Sequence, residues 1–200
     1  MTRIAAVAAA ILVAACGGGP AGSASASRSP EPTTRAPVAT TVAPGSTSPA
    51  ACATASQAGP ATRATIELQK GGSIVIQLRP DKAPGTVANF VKSARDCRYD
   101  GLVFHRVEAN FVIQGGDPEG TGRGGGNQPT ELSDLPFTKG SAGVARAGDI
   151  RVSNLMQFYL CIGSCRHLDG QYTNFGQVVA GQDVADAVKV GDKIRTIRIE

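Results

Sequence analysis

The chain has no tryptophan, two histidines and two methionines among 200 residues, and its six phenylalanines and three tyrosines all lie beyond residue 61. Between Gly17 and Ala61, 38 of 45 residues are Ala, Ser, Thr, Pro or Gly. Such a stretch cannot bury enough apolar surface to form a core. No apolar run reaches about 18 residues, so a membrane-spanning helix of usual length is excluded. Clustered charge is also missing: residues 62–200 hold 17 basic and 15 acidic side chains, scattered along the chain. That removes the main electrostatic argument for a nucleic-acid partner. With two histidines there are few general bases, and neither His105 nor His167 sits in a nucleophile motif such as GxSxG. The cysteines form no CxxC pair and have only His167 nearby, which argues against zinc. Gly120-x-Gly122-x-x-Gly125 matches a dinucleotide fingerprint in letters only, because Pro129 and Pro136 interrupt any helix that could follow. A mobile glycine loop is the expectation there. Asp117, Glu119, Glu131 and Asp134 lack the spacing of a calcium loop and read as solvated.

What is present begins with an address. Arg3 precedes Ile4 to Ala15, twelve consecutive Ala, Val, Ile and Leu residues, the pattern of a secretory signal. The run ends in Leu12-Val13-Ala14-Ala15-Cys16, which resembles a bacterial lipobox; an ordinary cleaved signal with a chance cysteine is the alternative. The expected organisation is a signal peptide over 1–15, a lipidated Cys16 with a disordered tether over 16–61, and one domain over 62–200. A cysteine of this kind carries two or three acyl chains, enough for stable anchoring. The tether would reach roughly 35 to 40 Å as a flexible coil. Export with lipid anchoring on the outer face of the cell membrane follows as the expected location, with the anchor as the only membrane contact. Four cysteines remain, an even number suited to an oxidising compartment. Cys161 with Cys165 and Cys52 with Cys97 are the favoured pairs, against a buried free thiol at Cys161.

Within 62–200, Thr65–Gln69 and Ser73–Leu78 flank Lys70-Gly71-Gly72 and predict a hairpin. Pro84 suits a first helical turn, and Val87, Phe90, Val91 and Ala94 follow at helical spacing to a stop near Cys97. Strands are predicted over 102–107, 110–114, 142–146, 157–162, 174–179 and 193–199, with a short helix over 183–188. Strands far outnumber crossover helices, which favours a mainly β fold: an antiparallel sheet or closed barrel.

The informative stretch is Phe104-His105-Arg106-Val107, then Phe111-Val112-Ile113-Gln114-Gly115-Gly116-Asp117. Period-two alternation places Arg106 on a face with Phe111. Taken alone, Arg106 reads more readily as a snorkelling surface side chain. This stretch resembles the cyclophilin family of peptidyl-prolyl cis-trans isomerases, and the similarity extends through Ala83–Phe90, Gly140–Ala147, Gln157–Cys161 and Leu168–Val178.

The resemblance implies a closed eight-stranded antiparallel barrel capped by two helices and rotation about the bond before proline. That rotation faces a barrier of ~18–20 kcal/mol, while trans is favoured over cis by only ~0.5–1 kcal/mol. It needs no cofactor; the enzyme must bind the twisted amide better than either planar form. Family matching implies catalytic roles for Arg106, Phe111 and Gln114. It places Val112, Tyr159 and Leu168 with Phe111 around the proline and Tyr172 at the rim. His105 and Gln157 join the substrate site, with Gln114 and Gln157 able to hold backbone or the arginine. Ala145 and Arg146 match a strand edge whose backbone bonds the peptide. Partners are then extended or unfolded proline-containing chains of exported or envelope proteins, bound by a monomer. A non-catalytic proline-binding chaperone module on the same fold is the alternative. Val112, Tyr159, His167 and Tyr172 depart from common family residues, and His167 predicts weak inhibition by cyclosporin.

Overall fold

In the computed structural model, which describes residues 61–200, Arg63–Leu68 (β1) and Ser73–Leu78 (β2) form the predicted hairpin. Both strands bury every second residue, so Ala64, Ile66, Leu68, Ile74, Ile76 and Leu78 enter one core. The helix Pro84–Arg95 (α1) buries Val87, Phe90, Val91 and Ala94 on one stripe. Its free N-terminal amides are met from a distance: the Glu131 carboxylate accepts from the backbone of Gly85 at 2.9 Å and Thr86 at 2.7 Å. A remote acid thereby does the work of a local cap.

Arg106–Val107 (β3) and Val112–Gly115 (β4) follow, then Asn127–Pro129 (β5), Ser141–Val144 (β6), Val152–Asn154 (β7) and Phe158–Cys161 (β8). A 3₁₀ turn at Arg166–Leu168, the strand Asn174–Ala180 (β9), the short helix Gln182–Asp186 (α2) and Ile194–Ile199 (β10) complete the described chain. The main sheet runs β10-β1-β2-β9-β6-β8-β4-β3, with every pairing antiparallel; β5 and β7 form a separate ribbon.

The eight strands form an open half-barrel, and the expected closure does not occur. The predicted strand over 102–107 shortens to two residues. Its preceding segment meets the β10 side through one isolated bridge, Val103 with Lys193, and a few backbone bonds such as Phe104 N–H to Asp192 O at 2.8 Å. A ladder needs consecutive paired residues, and the turns at Tyr99–Leu102 and Lys189–Asp192 interrupt it.

The nine aromatics divide by location. Phe90, Tyr99, Phe104, Phe158 and Phe175 pack in the main core, Phe90 lying 5.1 to 5.6 Å from three of the others. Phe137 and Tyr159 are buried in a second cluster with Val112, Cys161, Cys165 and Leu168, flanked by Phe111 and Tyr172. Strand β4 is buried on both faces, so Ile113 faces the main core and Val112 the second cluster. Cys161 and Cys165 are disulfide-bonded, excluding the free-thiol alternative. Cys97 is disulfide-bonded as well; Cys52, its expected partner, lies outside the described residues, as does Cys16.

Candidate active site

Register sets the site. Arg106 stands opposite Gln114, Gln114 opposite Tyr159, and Tyr159 opposite Gly143. Val112 lies opposite Cys161 on the same face of the sheet. A cleft of about 470 Å³ opens over this second cluster, walled by His105, Arg106, Phe111, Val112, Gln114, Ala145, Arg146, Tyr159, Leu168 and Tyr172. Ten of the expected site residues therefore converge, and Thr121 and Gly122 join them from the glycine-rich loop.

One wall is apolar. Val112, Tyr159 and Leu168 are at most 7 % exposed, and Tyr159 stacks on Phe137 with ring centroids 5.9 Å apart. Burial pushes the Tyr159 phenol far above its ordinary range. Close approach is possible only because position 143 lacks a side chain: an added Cβ there would lie 2.3 Å from the Tyr159 ring. Phe111 is held at the mouth by His167, whose ring centroid is 4.9 Å from its own.

The opposite wall is a chain of hydrogen bonds. Arg106 Nη1 donates to Gln114 Oε1 at 2.9 Å, Gln114 Nε2 donates to Gln157 Oε1 at 2.9 Å, and Gln157 Nε2 donates to the Gly124 carbonyl at 2.7 Å. Gln157 is 1 % exposed and does not line this cleft; it orients Gln114 and faces a neighbouring cleft of about 490 Å³. Of the two expected partners, backbone or the arginine, Gln157 holds backbone, at Gly124, and Gln114 holds the arginine. Ala145 departs from expectation. Its N–H donates to Gln157 O and its carbonyl accepts from Asn154 N–H, so its backbone is already paired. Among the described residues none bonds the backbone of Arg146, whose guanidinium lies 4.4 Å from the Tyr172 ring centroid and donates to Gln171 O at 3.0 Å.

Residues 118–123 of the glycine-rich loop are exposed, as expected, and so is Asp134, but Asp117 is not solvated. Asp117 is 1 % exposed and its carboxylate accepts from the backbone of Glu119 and Gly122. Burial raises its pKa, but the donors from Glu119, Gly122, Gly124 and Thr121 together outweigh this and hold the carboxyl below its usual range. Glu131 is likewise engaged, as the cap of α1. Period-two geometry could have exposed one further residue that the sequence reading missed: Glu108, two positions from Arg106, pairs with it.

Both ring nitrogens of His105 are buried without a protein partner. Burial lowers its pKa from 6.5, and Arg106 adds to the effect against an opposing pull from Asp117. The unfolded chain therefore binds more protons just below that value, so stability is full above pH 6.5 and declines as pH falls toward the folded pKa. Thermal midpoints at successive pH values should show this loss in the wild type and less of it in His105→Gln; identical profiles would remove His105 as the cause.

Comparison with known proteins decides the family. Residues 63–200 match the family model for cyclophilin type peptidyl-prolyl cis-trans isomerase/CLD. The chain belongs to the cyclophilin family of peptidyl-prolyl cis-trans isomerases. Among curated cyclophilin relatives, an isomerase of Synechococcus elongatus is 42 % identical over 142 residues, 69 % of this chain and 96 % of that protein. Isomerase B of Bacillus subtilis is 40 % identical over 137 residues, covering 66 % and 94 %. A cyclophilin of Cryptosporidium parvum, crystallised in the presence of the dipeptide Ala-Pro, superposes with a TM-score of 0.64 and 26 % identity, covering 69 % of this chain and 98 % of that one. The enzyme is a rotamase, and the non-catalytic alternative gives way to that assignment.

Proposed function

We propose that the cleft seats a prolyl ring against Phe111, Val112, Tyr159 and Leu168 while Arg106 donates to the prolyl amide as it twists. The observation that carries this reading is the meeting of a buried apolar wall with a hydrogen-bonded guanidinium across one cleft. Twisting breaks amide resonance and localises the nitrogen lone pair, so a donor aimed at the amide gains strength in the transition state over either planar form. A permanently charged, planar fork suits that task better than lysine. Fixing it through Gln114 and Gln157 spares reorganisation during the reaction. Phe111 and Leu168 supply shape, and the backbone of Arg146 offers an unpaired edge for an extended chain. The Cryptosporidium parvum neighbour's dipeptide supports a proline-containing ligand. Adding Ala-Pro to the labelled protein should shift the amide signals of Phe111, Val112, Tyr159 and Leu168 before others; shifts confined elsewhere would remove this cleft from the reading.

The proposed setting is the outer face of a membrane, where the monomeric domain over 62–200 acts on extended segments of exported or envelope proteins. Its support is the signal-like run before Cys16 and the Ala/Ser/Thr/Pro stretch over 17–61. In a producing bacterium the full chain should fractionate with membranes, and Cys16→Ser should release it. Equal partition of the two would sink the anchor.

A further inference from the structure

The guanidinium of Arg106 has five N–H groups. Gln114 Oε1 takes one from Nη1 at 2.9 Å. Glu108 Oε1 takes two, from Nε at 2.9 Å and from Nη2 at 2.5 Å. Each terminal nitrogen therefore keeps one N–H that no described residue accepts. The two acceptors grip different nitrogens of the plane, so together they fix its rotation as well as its position. Neither anchor is loose. Gln114 is 8 % exposed and bonded to Gln157. Glu108 closes the turn between β3 and β4: its N–H donates to Val112 O at 2.8 Å and its carbonyl accepts from Phe111 N–H at 3.0 Å. One residue thus joins the strand bearing Arg106 to the turn bearing Phe111, and the guanidinium carbon lies 5.8 Å from the Phe111 ring centroid.

We propose that Glu108 is a positioning residue for the rotation reaction, its carboxylate clamping the Arg106 guanidinium in the plane from which it donates to the prolyl amide. The inference rests on Arg106 being that donor. Stability does not explain the pair: its side chains are 43 % and 49 % exposed, a setting in which ion pairs contribute little. The opposing effect, a carboxylate dulling the arginine's field, is weak at this exposure because solvent screens it. Arginine stays charged with or without its partner. Orientation is what the clamp supplies, and small misplacements of a reacting group are costly.

The test uses the full chain and a proline-containing peptide. Glu108→Ala should lower kcat/KM roughly tenfold, with the loss in kcat, and leave the thermal midpoint nearly unmoved. Glu108→Gln keeps an acceptor oxygen and should stay within about twofold of wild type. The Arg106 Nε–H proton signal, protected in wild type and Glu108→Gln, should broaden in Glu108→Ala. In an Arg106→Ala background, Glu108→Ala should cost nothing more. Unchanged or faster turnover in Glu108→Ala overturns the proposal, and so does a Glu108→Gln that is as slow as Glu108→Ala. If Arg106→Ala alone retains full activity, the donor reading falls with the clamp, and that single variant identifies the failure.

Discussion

Arg106→Ala should reduce kcat/KM for a proline-containing peptide by about 10²- to 10³-fold, the usual cost of removing one fixed donor from a developing charge. The half-barrel should survive. The ion pair that the substitution deletes is exposed on both sides, worth at most about 1 kcal/mol. Gln114 Nε2 keeps its bond to Gln157, and only Oε1, at the cleft wall, loses its donor. Fold and catalysis should therefore separate cleanly. Peptide isomerisation measured alongside thermal unfolding checks this, and a variant that isomerises at the wild-type rate would remove Arg106 from the mechanism. Arg106→Lys sharpens the result. An ammonium restores charge without the planar fork, so it should recover only part of the loss.

Gly163→Ala should be the most damaging small substitution near the site. A Cβ at this position would stand 1.9 Å from the carbonyl oxygen of Asn110 and 2.2 Å from its carbon. Backbone cannot swing aside as a flexible side-chain tip can. Asn110 already sits at φ 59°, in the left-handed region, within the tight turn before Phe111. The facing segment is tethered too: the Cys161–Cys165 bridge closes it, and the N–H groups of Ile162 and Gly163 both donate to Phe111 O. The clash must then move the turn, and with it Phe111. A loss of about 3 kcal/mol in stability is expected from such overpacking, with a fall in kcat/KM of roughly tenfold from the displaced ring. Gly148→Ala is the control, since nothing lies within 4 Å of its Cβ. Equal behaviour of the two variants would show that the turn yields freely.

Much of the site was legible because strands make residues predictable neighbours. Alternation puts Val112 and Gln114 on the face that meets Arg106, as the register shows, while Phe111 precedes β4 and reaches the same cleft from the turn. The same rule reaches Glu108, but an exposed acid two positions from an arginine is common on any strand. Only the turn, which brings its carboxylate onto Nε and Nη2, distinguishes it. Asp117 was harder still. Its neighbours are glycines and polar residues, the composition of a solvated loop, yet the chain wraps its backbone amides around the carboxylate and buries it. Composition records side chains, and here the partners are backbone.

The sequence by itself determined where a core could form and which residues could carry chemistry. A stretch over 17–61 that is rich in small residues and free of aromatics, followed by a domain with all nine aromatics, marks the boundary. Period-two patterning determined most strands. Tertiary structure decided whether the sheet closes, because closure depends on consecutive pairing between distant segments, and one bridge at Val103 and Lys193 is all that β-pairing supplies. It also decided the division of labour among polar residues. Gln157 supports Gln114 from beside the cleft, and Ala145, expected as a peptide-binding edge, is already paired. Those outcomes follow from which hydrogen-bonding groups are satisfied within the fold, a balance among residues far apart in the chain that local pattern does not contain.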